Sequence, residues 1–500
     1  MKRIILAITI LTVSFQMSFA QFGILDPSFG NSSVPGIDTF SAIAVSGFPQ
    51  AIAFQPDGRI LVSTLGGTFG LGRLNTTGAP DNSFGNAGWV NVGLFDMSDI
   101  AVLSDSKILT TGSPTNISYN DTYVWKYKAD GTLDSTFGYN GRVGDSTMGP
   151  GNARVAIQSG TKIICSGDRG VKRLDLANGS LDMSFGTNGF IRVPQLPLFI
   201  YSMTVDSATG NILLAGLTLG NHIAIARLTA NGVLDATFGT NGVDSLSILA
   251  TGLGIGMKVR INSAGKIILA SDCDKTYGYN QVICAQFNAD GSPDNGFGTN
   301  GISYPDWKTI GGNTEYFGGM ALQSDDRIMI ASMLRDSGVS TSVNSAALVR
   351  LHTDGSSDTV YGVPKFDFHS NGAWPGAIGI GPDGKVVLNG MTGGYELIAR
   401  YGIGYPSGIN ENSAQISALT LYPNPTHGNA ILSFTVKENT EVSATIYSVD
   451  GRAVGHLYNG EMFQAGKYTK EIPLNNIAPG SYHIVVSDKS GSQHISFEKL

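Results

Sequence analysis

An eleven-residue string, GTLDSTFGYNG at residues 131–141, returns as GSLDMSFGTNG at residues 179–189. The aspartate of this string recurs seven times at intervals of 48 to 64 residues. Six copies carry Phe-Gly three residues later, and the seventh carries Tyr361-Gly362 instead. The seven aspartates are Asp26, Asp81, Asp134, Asp182, Asp235, Asp294 and Asp358. A period of this length predicts a repeat architecture.

Two further motifs alternate with the first one, also seven times. One is a polar turn followed by an apolar, β-branched run, as in QPDGRILVS and NSAGKIILAS. The other is a short strand that ends in a turn, as in ARLTANG and VRLHTDG. Each unit therefore offers about four short strands, which favours the blades of a β-propeller over a sandwich or a helical solenoid. Charged residues are only 14% of the chain and 66 residues are glycine, a composition that disfavours helices.

The order of the motifs predicts how the ring closes. The first copy, LDPSFG, has no preceding unit, and the last unit ends at ARYGIG without the LDxSFG that should follow. We expect the N-terminal segment at residues 22–33 to supply the missing strand and pair the open edge. The prediction is an all-β chain with a seven-bladed propeller closed by its N-terminal strand.

The residue types of the string indicate structural roles. Leu and Phe are expected to pack as apolar side chains between neighbouring sheets, and Asp to accept hydrogen bonds from backbone N–H groups at the turn. Gly supplies positive φ. Calcium binding by the aspartates is the alternative, but the loops lack DxDxDG spacing and a terminal Glu. We therefore predict no metal site.

The string with its following DGKI and ARLN strands resembles the delta-60 repeat family. The resemblance covers about residues 21–403. It implies a propeller akin to those of NHL-repeat proteins in a secreted bacterial protein, and it implies a scaffold without a defined activity.

The two ends of the chain have different compositions. Lys2 and Arg3 precede an apolar stretch, and Ser18-Phe19-Ala20 offers small residues for cleavage, which predicts a signal peptide at residues 1–20. After the propeller at residues 21–403, residues 404–415 read as a linker rich in Gly, Ser and Asn. Alternating strands at residues 416–500 predict a small Ig-like β-sandwich.

The C-terminal segment carries LYPNP at residues 421–425, YSVDGR at residues 447–452 and PGSY at residues 479–482. These strings, with the basic Lys499 near the end, resemble the type A sorting domain of the type IX (Por) secretion system. The resemblance implies a Bacteroidetes-type diderm, Sec export, type IX translocation and release or attachment at the outer-membrane surface. The type IX machinery would then be a partner of residues 416–500. The alternative is an Ig-like module retained for binding.

Charge and cysteine content exclude several classes of function. The net charge of −7 gives no basic footprint for nucleic acid. No later segment reaches eighteen apolar residues, so no membrane span is expected after the signal peptide. Cys165, Cys273 and Cys284 are too few for a disulfide framework; Cys273 and Cys284 either pair or stay as thiols. No motif for catalysis or for a cofactor is present, so we assign no catalytic residue and no cofactor.

The connections between units vary in length and offer the best candidates for binding, because variable loops on a rigid scaffold often carry function. The longest interval, 64 residues, contains SYPDWKTIGGNTEYFG. The candidate stacking platforms are Tyr201, Trp307, Tyr316 and Trp374, and their candidate polar partners are Asp306, Glu315 and Arg335. The alternative is that these aromatic residues only cover the ends of blades.

Two functions stay open from the sequence. The first is a non-catalytic surface protein that binds a glycan or a polypeptide. The second is a polysaccharide-active hydrolase or lyase with its site at the channel mouth, which would need a pair of carboxylates near aromatic residues. We favour the first, so enzymatic activity is not expected.

Overall fold

The computed structural model describes most of the chain after the N-terminal segment. The described residues are 25–26, 28–30, 36–40, 48–65, 69–93, 95–115, 121–149, 153–193, 199–218, 220, 222–249, 256–275, 279–307, 312–336, 344–358, 365–366, 373–392, 395–402, 415–448, 453–488 and 491–500. The chain divides into two compact units, one from Gly23 to Gly404 and one that begins at Tyr405. The predicted signal peptide and the predicted linker lie outside the described residues.

The N-terminal unit consists of four-stranded antiparallel sheets. Sheet 1 contains β2 (Phe48–Phe54), β3 (Ile60–Leu65), β4 (Phe69–Leu74) and β5 (Trp89–Asn91). Sheet 2 contains β6 (Phe95–Val102), β7 (Ile108–Pro114), β8 (Thr122–Tyr127) and β9 (Arg142–Asp145). Sheet 3 contains β10 (Arg154–Gln158), β11 (Lys162–Gly167), β12 (Gly170–Asp175) and β13 (Phe190–Ile191). Sheet 4 contains β14 (Phe199–Val205), β15 (Ile212–Leu217), β16 (His222–Leu228) and β17 (Val243–Leu249).

Three more sheets follow in the same unit. Sheet 5 contains β18 (Met257–Ile261), β19 (Ile267–Lys275), β20 (Tyr279–Phe287) and β21 (Ile302–Ser303). Sheet 6 contains β22 (Gly312–Leu322), β23 (Ile328–Asp336), β24 (Asn344–Leu351) and β25 (Lys365–Phe366). Sheet 7 contains β26 (Ala373–Ile380), β27 (Val386–Thr392) and β28 (Tyr395–Tyr401), and its fourth strand is β1 (Ile37–Phe40).

The first strands of consecutive sheets contact one another in a cyclic order. β2 contacts β6, each later first strand contacts the next, and β26 contacts both β22 and β2. Apolar residues fill the space between sheets: Leu61 of sheet 1 shares a buried cluster with Ile108 and Trp125 of sheet 2. The second strands are buried on both faces, which explains their continuous apolar runs.

The closing segment differs in part from the prediction for residues 22–33. The strand that pairs with β28 is β1, in which Ile37 lies opposite Ala399. Leu25 and Asp26 precede this strand and are tied to sheet 7, by a bridge between Leu25 and Tyr401 and by the Asp26 N–H, which donates to the Arg400 carbonyl (2.8 Å). The LDPSFG string is therefore the connection before the fourth strand.

The aspartate of the string joins the turn to the third strand. In sheet 3, Asp182 accepts hydrogen bonds from the Ser184 N–H (3.1 Å) and from Nε of Arg173 (2.9 Å). The Ser184 hydroxyl and these neighbours hold the pKa of Asp182 below its usual range. Nη1 of Arg173 also donates to the Ala230 carbonyl of sheet 4 (2.7 Å). The pair thus links one sheet to the next. Similar Arg–Asp pairs join Arg73 to Asp81, Arg227 to Asp235, Arg350 to Asp358 and Arg400 to Asp26.

The phenylalanine of the string packs across the same boundary. Phe84 of sheet 1 is fully buried, with the Arg73 guanidinium 4.5 Å from its ring centroid. Gly131 of sheet 2 has φ of +86°, and a Cβ there would lie 2.9 Å from the Phe84 ring. The Gly85 N–H donates to the Asp130 carbonyl of sheet 2 (2.9 Å). The Phe-Gly pair therefore packs and bonds to the turn of the following sheet.

The leucine of the string differs between repeats. Leu234 packs against the cluster between sheets 3 and 4, as expected, but two other copies do not. Leu133 and Leu181 are 41% and 37% exposed, so they do not pack between sheets. Leu133 covers Gly141 of its own repeat, where a Cβ would come within 2.8 Å of the Leu133 side chain. The side chain of Leu133 therefore packs over a tight turn. Only glycine fits at position 141, because a larger residue would collide with Leu133.

The C-terminal unit contains two antiparallel sheets around one core. The first sheet contains β29 (Ile416–Tyr422), β30 (Ala430–Val436) and β33 (Gly466–Ile472). The second contains β31 (Thr440–Ser448), β32 (Ala453–Phe463), β34 (Gly480–Asp488) and β35 (Gly491–Lys499). Phe434 of the first sheet and Ile484 of the second share a buried cluster. Nζ of the buried Lys499 donates to the His427 carbonyl (3.1 Å).

The three cysteines are buried, and none forms a disulfide among the described residues. Cys273 and Cys284 lie on neighbouring strands of sheet 5, where they pair with Gln281 and Ala270 respectively. They belong to clusters on opposite faces of that sheet. The two thiols are therefore not linked.

Candidate functional site

Two of the predicted aromatic residues come together at the beginning of adjacent first strands. The ring centroids of Tyr316 on β22 and Trp374 on β26 are 6.3 Å apart, with an angle of 32° between the planes. Trp374 is 44% exposed and Tyr316 is half-buried. Sheet geometry explains the pairing, because first strands of consecutive sheets contact one another and equivalent positions then lie side by side. The pair presents a broad, partly dry aromatic surface of the kind that binding sites use.

Trp307 lies in a different environment from this pair. It is only 7% exposed and packs in the cluster that fills the space between sheets 5 and 6, with Phe297 and Met320. Burial of that degree leaves little of the indole ring for stacking against a ligand. The neighbouring Asp306 is exposed, and its backbone N–H donates to the Ser357 hydroxyl (3.1 Å). These contacts favour a structural role for Trp307 and Asp306 in the connection over a role in ligand binding.

Glu315 precedes the aromatic pair on β22 but is held by the neighbouring sheet. Its Oε2 accepts a hydrogen bond from the Val282 N–H of sheet 5 (3.0 Å). Across the same boundary, Asp272 accepts a hydrogen bond from the Phe317 N–H. Burial, with a contribution from the charge of Glu315, raises the pKa of Asp272 to about 7. The two carboxyl groups are thus neighbours that join sheets 5 and 6 through backbone N–H groups.

The remaining predicted residues are separate from the pair. Arg335 is exposed on β23, where it lies opposite Thr314 in the strand register. Tyr201 lies on β14, in a different sheet, and is half-buried. Its carbonyl accepts a hydrogen bond from Nε of Arg154 (2.8 Å), and burial raises the pKa of its hydroxyl.

A pocket lies between sheets 1 and 2, and no sequence motif predicted it. It has a volume of about 240 Å³ and is lined in part by Phe95, Trp125 and Tyr127. The Arg142 guanidinium lies over the rings of Phe95 and Tyr123, at 5.9 and 5.7 Å from their centroids. No pattern in the sequence identifies this pocket, because its walls come from two repeats whose connections carry ordinary strand residues.

Two classes of site find no support in the described part of the chain. No group of three or more His, Cys, Asp or Glu side chains is arranged to hold a metal ion among the described residues. The described residues also contain no helix long and apolar enough to cross a membrane.

Comparisons with known proteins match both units. Residues 420–497 match the family described as a secretion system C-terminal sorting domain. Four segments, at residues 55–84, 103–137, 208–238 and 265–297, match the family described as a domain of unknown function (DUF5122) beta-propeller. No curated protein matches the chain.

Solved structures resemble the chain only distantly. They include the calcium-binding protein regucalcin from Agrobacterium tumefaciens, with 13% identity, a TM-score of 0.31 and coverage of 61% of this chain and 90% of that one. A glucose dehydrogenase shares 14% identity, with a TM-score of 0.32 and coverage of 73% and 99%. Drosophila Plexin A in complex with Semaphorin 1b shares 8% identity, with a TM-score of 0.36 and coverage of 76% and 87%.

The two family matches establish what kind of protein this is. It is a β-propeller protein with a C-terminal sorting domain of the type IX secretion system, exported to the cell surface or the medium.

Proposed function

We propose that this β-propeller protein is a non-catalytic binding protein that the type IX secretion system delivers to the cell surface or the medium. The N-terminal unit binds the ligand, and the C-terminal unit carries the sorting signal. In this proposal the seven sheets of the N-terminal unit are seven blades of a ring that β1 closes, and the C-terminal unit is an Ig-like sandwich. The delta-60 repeat supplies the links between the blades.

The observation that carries the proposal is the exposed aromatic pair of Tyr316 and Trp374. Flat aromatic faces that are partly desolvated can stack on sugar rings or on apolar side chains of a polypeptide. The exposed Arg335 on β23 of the same sheet offers hydrogen-bond donors. We therefore place the ligand among glycans and polypeptides, with the pair as its contact surface.

The carboxyl groups near the pair support binding over hydrolysis. A glycosidase needs two carboxyl groups that reach the substrate. Asp272 is 1% exposed, and both Asp272 and Glu315 accept hydrogen bonds from backbone N–H groups of neighbouring strands. These bonds favour a structural use of the two acids.

The experiment is a binding screen of the mature full-length chain against a glycan array and against host surface polypeptides. The wild type is compared with Trp374→Ala and Tyr316→Ala. Tyr139→Ala is the matched control, since Tyr139 is 77% exposed and lies in a connection of sheet 2. We expect binding to fall at least tenfold in both site variants, equivalent to about 1.4 kcal/mol, and to persist in the control. Equal binding by all four proteins would refute the proposed site.

A further inference from the structure

One register position of the first strands carries charge in only three sheets. The apolar run of each second strand begins with an aliphatic residue, such as Ile267 in sheet 5. The position in question is the first-strand residue that lies opposite the residue three places further along that run. In sheet 5 it is Lys258, which lies opposite Ala270. We call it the ring position. Its occupants from sheet 1 to sheet 7 are Ala51, Asp99, Arg154, Ser202, Lys258, Gly319 and Ala377.

The fold places no demand for charge at the ring position. Alanine occupies it in sheets 1 and 7 and glycine in sheet 6. Where it is polar, the side chain usually bonds to a neighbouring first strand. Oδ2 of Asp99 accepts from the Val155 N–H (3.1 Å), and the Ser202 hydroxyl accepts from the Val259 N–H (3.0 Å).

Arg154 uses part of its hydrogen-bonding capacity in the same way. Its Nε donates to the Tyr201 carbonyl (2.8 Å), and its Nη1 donates to the carbonyls of Ser98 (3.2 Å) and Ala153 (3.1 Å). Within the described residues, its Nη2 group donates to no acceptor. Since no described residue accepts from them, the N–H groups of Nη2 are available to a ligand.

Lys258 does not follow the pattern of the other polar residues. Among the residues that the structure describes, its ammonium group has neither a hydrogen-bond acceptor nor a carboxylate within salt-bridge distance. Burial, together with the positive charges of Arg154 and Arg260, lowers its pKa from 10.5 to about 7, and Asp99 opposes this shift. Arg260, two residues further along β18, makes one hydrogen bond, from Nη1 to the Val259 carbonyl (2.9 Å). A half-buried ammonium group that is repelled by two guanidinium charges costs free energy unless an anion joins it.

We propose that Arg154, Lys258 and Arg260 form a binding site for the oxyanion group of a ligand. The group is a carboxylate, sulfate or phosphate, because guanidinium and ammonium groups together favour oxygen anions with several acceptors. All three side chains keep partial exposure, so a solute can reach them. The acids beside the cluster are Asp99 and, near Arg154, Asp168, and they offset part of the positive charge. Among the described residues, neither lies within salt-bridge distance of Lys258. This site lies apart from the Tyr316–Trp374 pair and does not depend on it.

The test uses the mature full-length chain at about pH 6, where Lys258 is protonated. Calorimetric titrations and thermal shifts are measured with sodium sulfate, sodium phosphate and sodium glucuronate, against sodium chloride at equal ionic strength. We expect saturable binding of at least one of the three oxyanions by the wild type. Tighter binding of glucuronate would identify an acidic sugar as the source of the group, and tighter binding of sulfate or phosphate would identify an inorganic anion.

Two variants separate the site from general salt effects. Lys258→Met and Arg260→Met should each weaken oxyanion binding by about tenfold or more. Without anion, Lys258→Met should melt at or above the wild-type temperature, because it removes an unpaired charge. Lys128→Met, an exposed lysine in a turn of sheet 2, is the control and should bind like the wild type. No saturable response to any of the three anions, or equal binding by the Lys258 and Arg260 variants, would overturn the proposal.

Discussion

Single residues of the repeated string act across the boundaries between sheets. The phenylalanine fills a space closed by a glycine of the next sheet, and the aspartate holds the arginine that reaches a carbonyl of that sheet. Two of the letters in LDxSFG, the aspartate and the phenylalanine, therefore both link neighbouring sheets. A chain that repeats the string repeats the link, which explains why the letters recur while the intervening connections vary.

The first prediction concerns the buried phenylalanine. Phe137 is 0% exposed, so Phe137→Ala should lower the free energy of unfolding of the N-terminal unit by about 3–5 kcal/mol, through lost burial and a cavity. Leu133→Ala in the same string is the control and should cost clearly less, about 1 kcal/mol, because its side chain is partly exposed over Gly141. Denaturant unfolding followed by tryptophan fluorescence is the measurement. All four tryptophans lie before residue 404, so the signal reports only this unit. Equal costs for the two variants would contradict the assigned roles.

The second prediction concerns a buried acid next to the closing strand. Glu396 is 1% exposed, its Oε1 accepts from Nδ2 of Asn389 (3.1 Å), and burial raises its pKa to about 7. The folded state therefore binds the proton more tightly than the unfolded state, whose carboxyl titrates near its ordinary pKa of 4.5. Stability from this group is present below about pH 4.5 and is lost as pH rises towards 7.

Glu396→Gln removes that ionisation. The variant should unfold at higher denaturant than the wild type at about pH 8 and at nearly the same denaturant at about pH 4. Glu441→Gln, an exposed acid of the C-terminal unit, should leave the tryptophan-detected transition unchanged at both pH values. A Glu396→Gln effect of the same size at both pH values would show that the carboxyl is ionised throughout.

At the scale of elements, the closing strand shows what the sequence reveals and what it hides. The missing motif in the last unit predicts that the N-terminal segment completes the array, and β1 pairs with β28 in sheet 7. The prediction placed the strand at residues 22–33 because LDPSFG is the recognisable part. The strand itself, IDTF, follows the motif and shares no recognisable pattern with other fourth strands such as WVN or RVGD.

The third prediction follows from that pairing. Deletion of residues 21–40 from the mature chain should expose the edge of β28 and remove the salt bridge between Asp26 and Arg400. We expect the tryptophan-detected unfolding free energy to fall by several kcal/mol, a large part of the stability of an ordinary domain. Asp81→Ala, which breaks the equivalent salt bridge inside the array, should cost less than the deletion because no strand is lost. An unchanged melting temperature after the deletion would contradict closure by β1.

The sequence predicted the candidate site only in part, because packing between elements decides which of its residues are exposed. Trp307 lies in a connection and Trp374 on β26, and one is 7% exposed and the other 44%. The difference depends on how each indole packs against neighbouring sheets, which no local pattern records. The Tyr316–Trp374 contact likewise joins strands of different repeats, so only the packing of sheets brings it about. Contacts of this kind can be identified only from a structure.

At the scale of the whole molecule, the sorting domain and the proposed binding surfaces lie in separate units of the chain. The N-terminal unit holds the aromatic pair, the pocket between sheets 1 and 2 and the ring position. The C-terminal unit matches a sorting domain over residues 420–497. The division was visible in the sequence because the repeat stops after Tyr401 and a new pattern of strands begins.

The most direct test of this account is the location of the chain in its native host after removal of residues 416–500. Full-length and truncated chains, each with the same epitope tag inside the N-terminal unit, are followed by fractionation and by protease treatment of intact cells. We expect the full-length chain to reach the surface or the medium and the truncated chain to accumulate, folded, in the periplasm. Normal surface display or release of the truncated chain would contradict it.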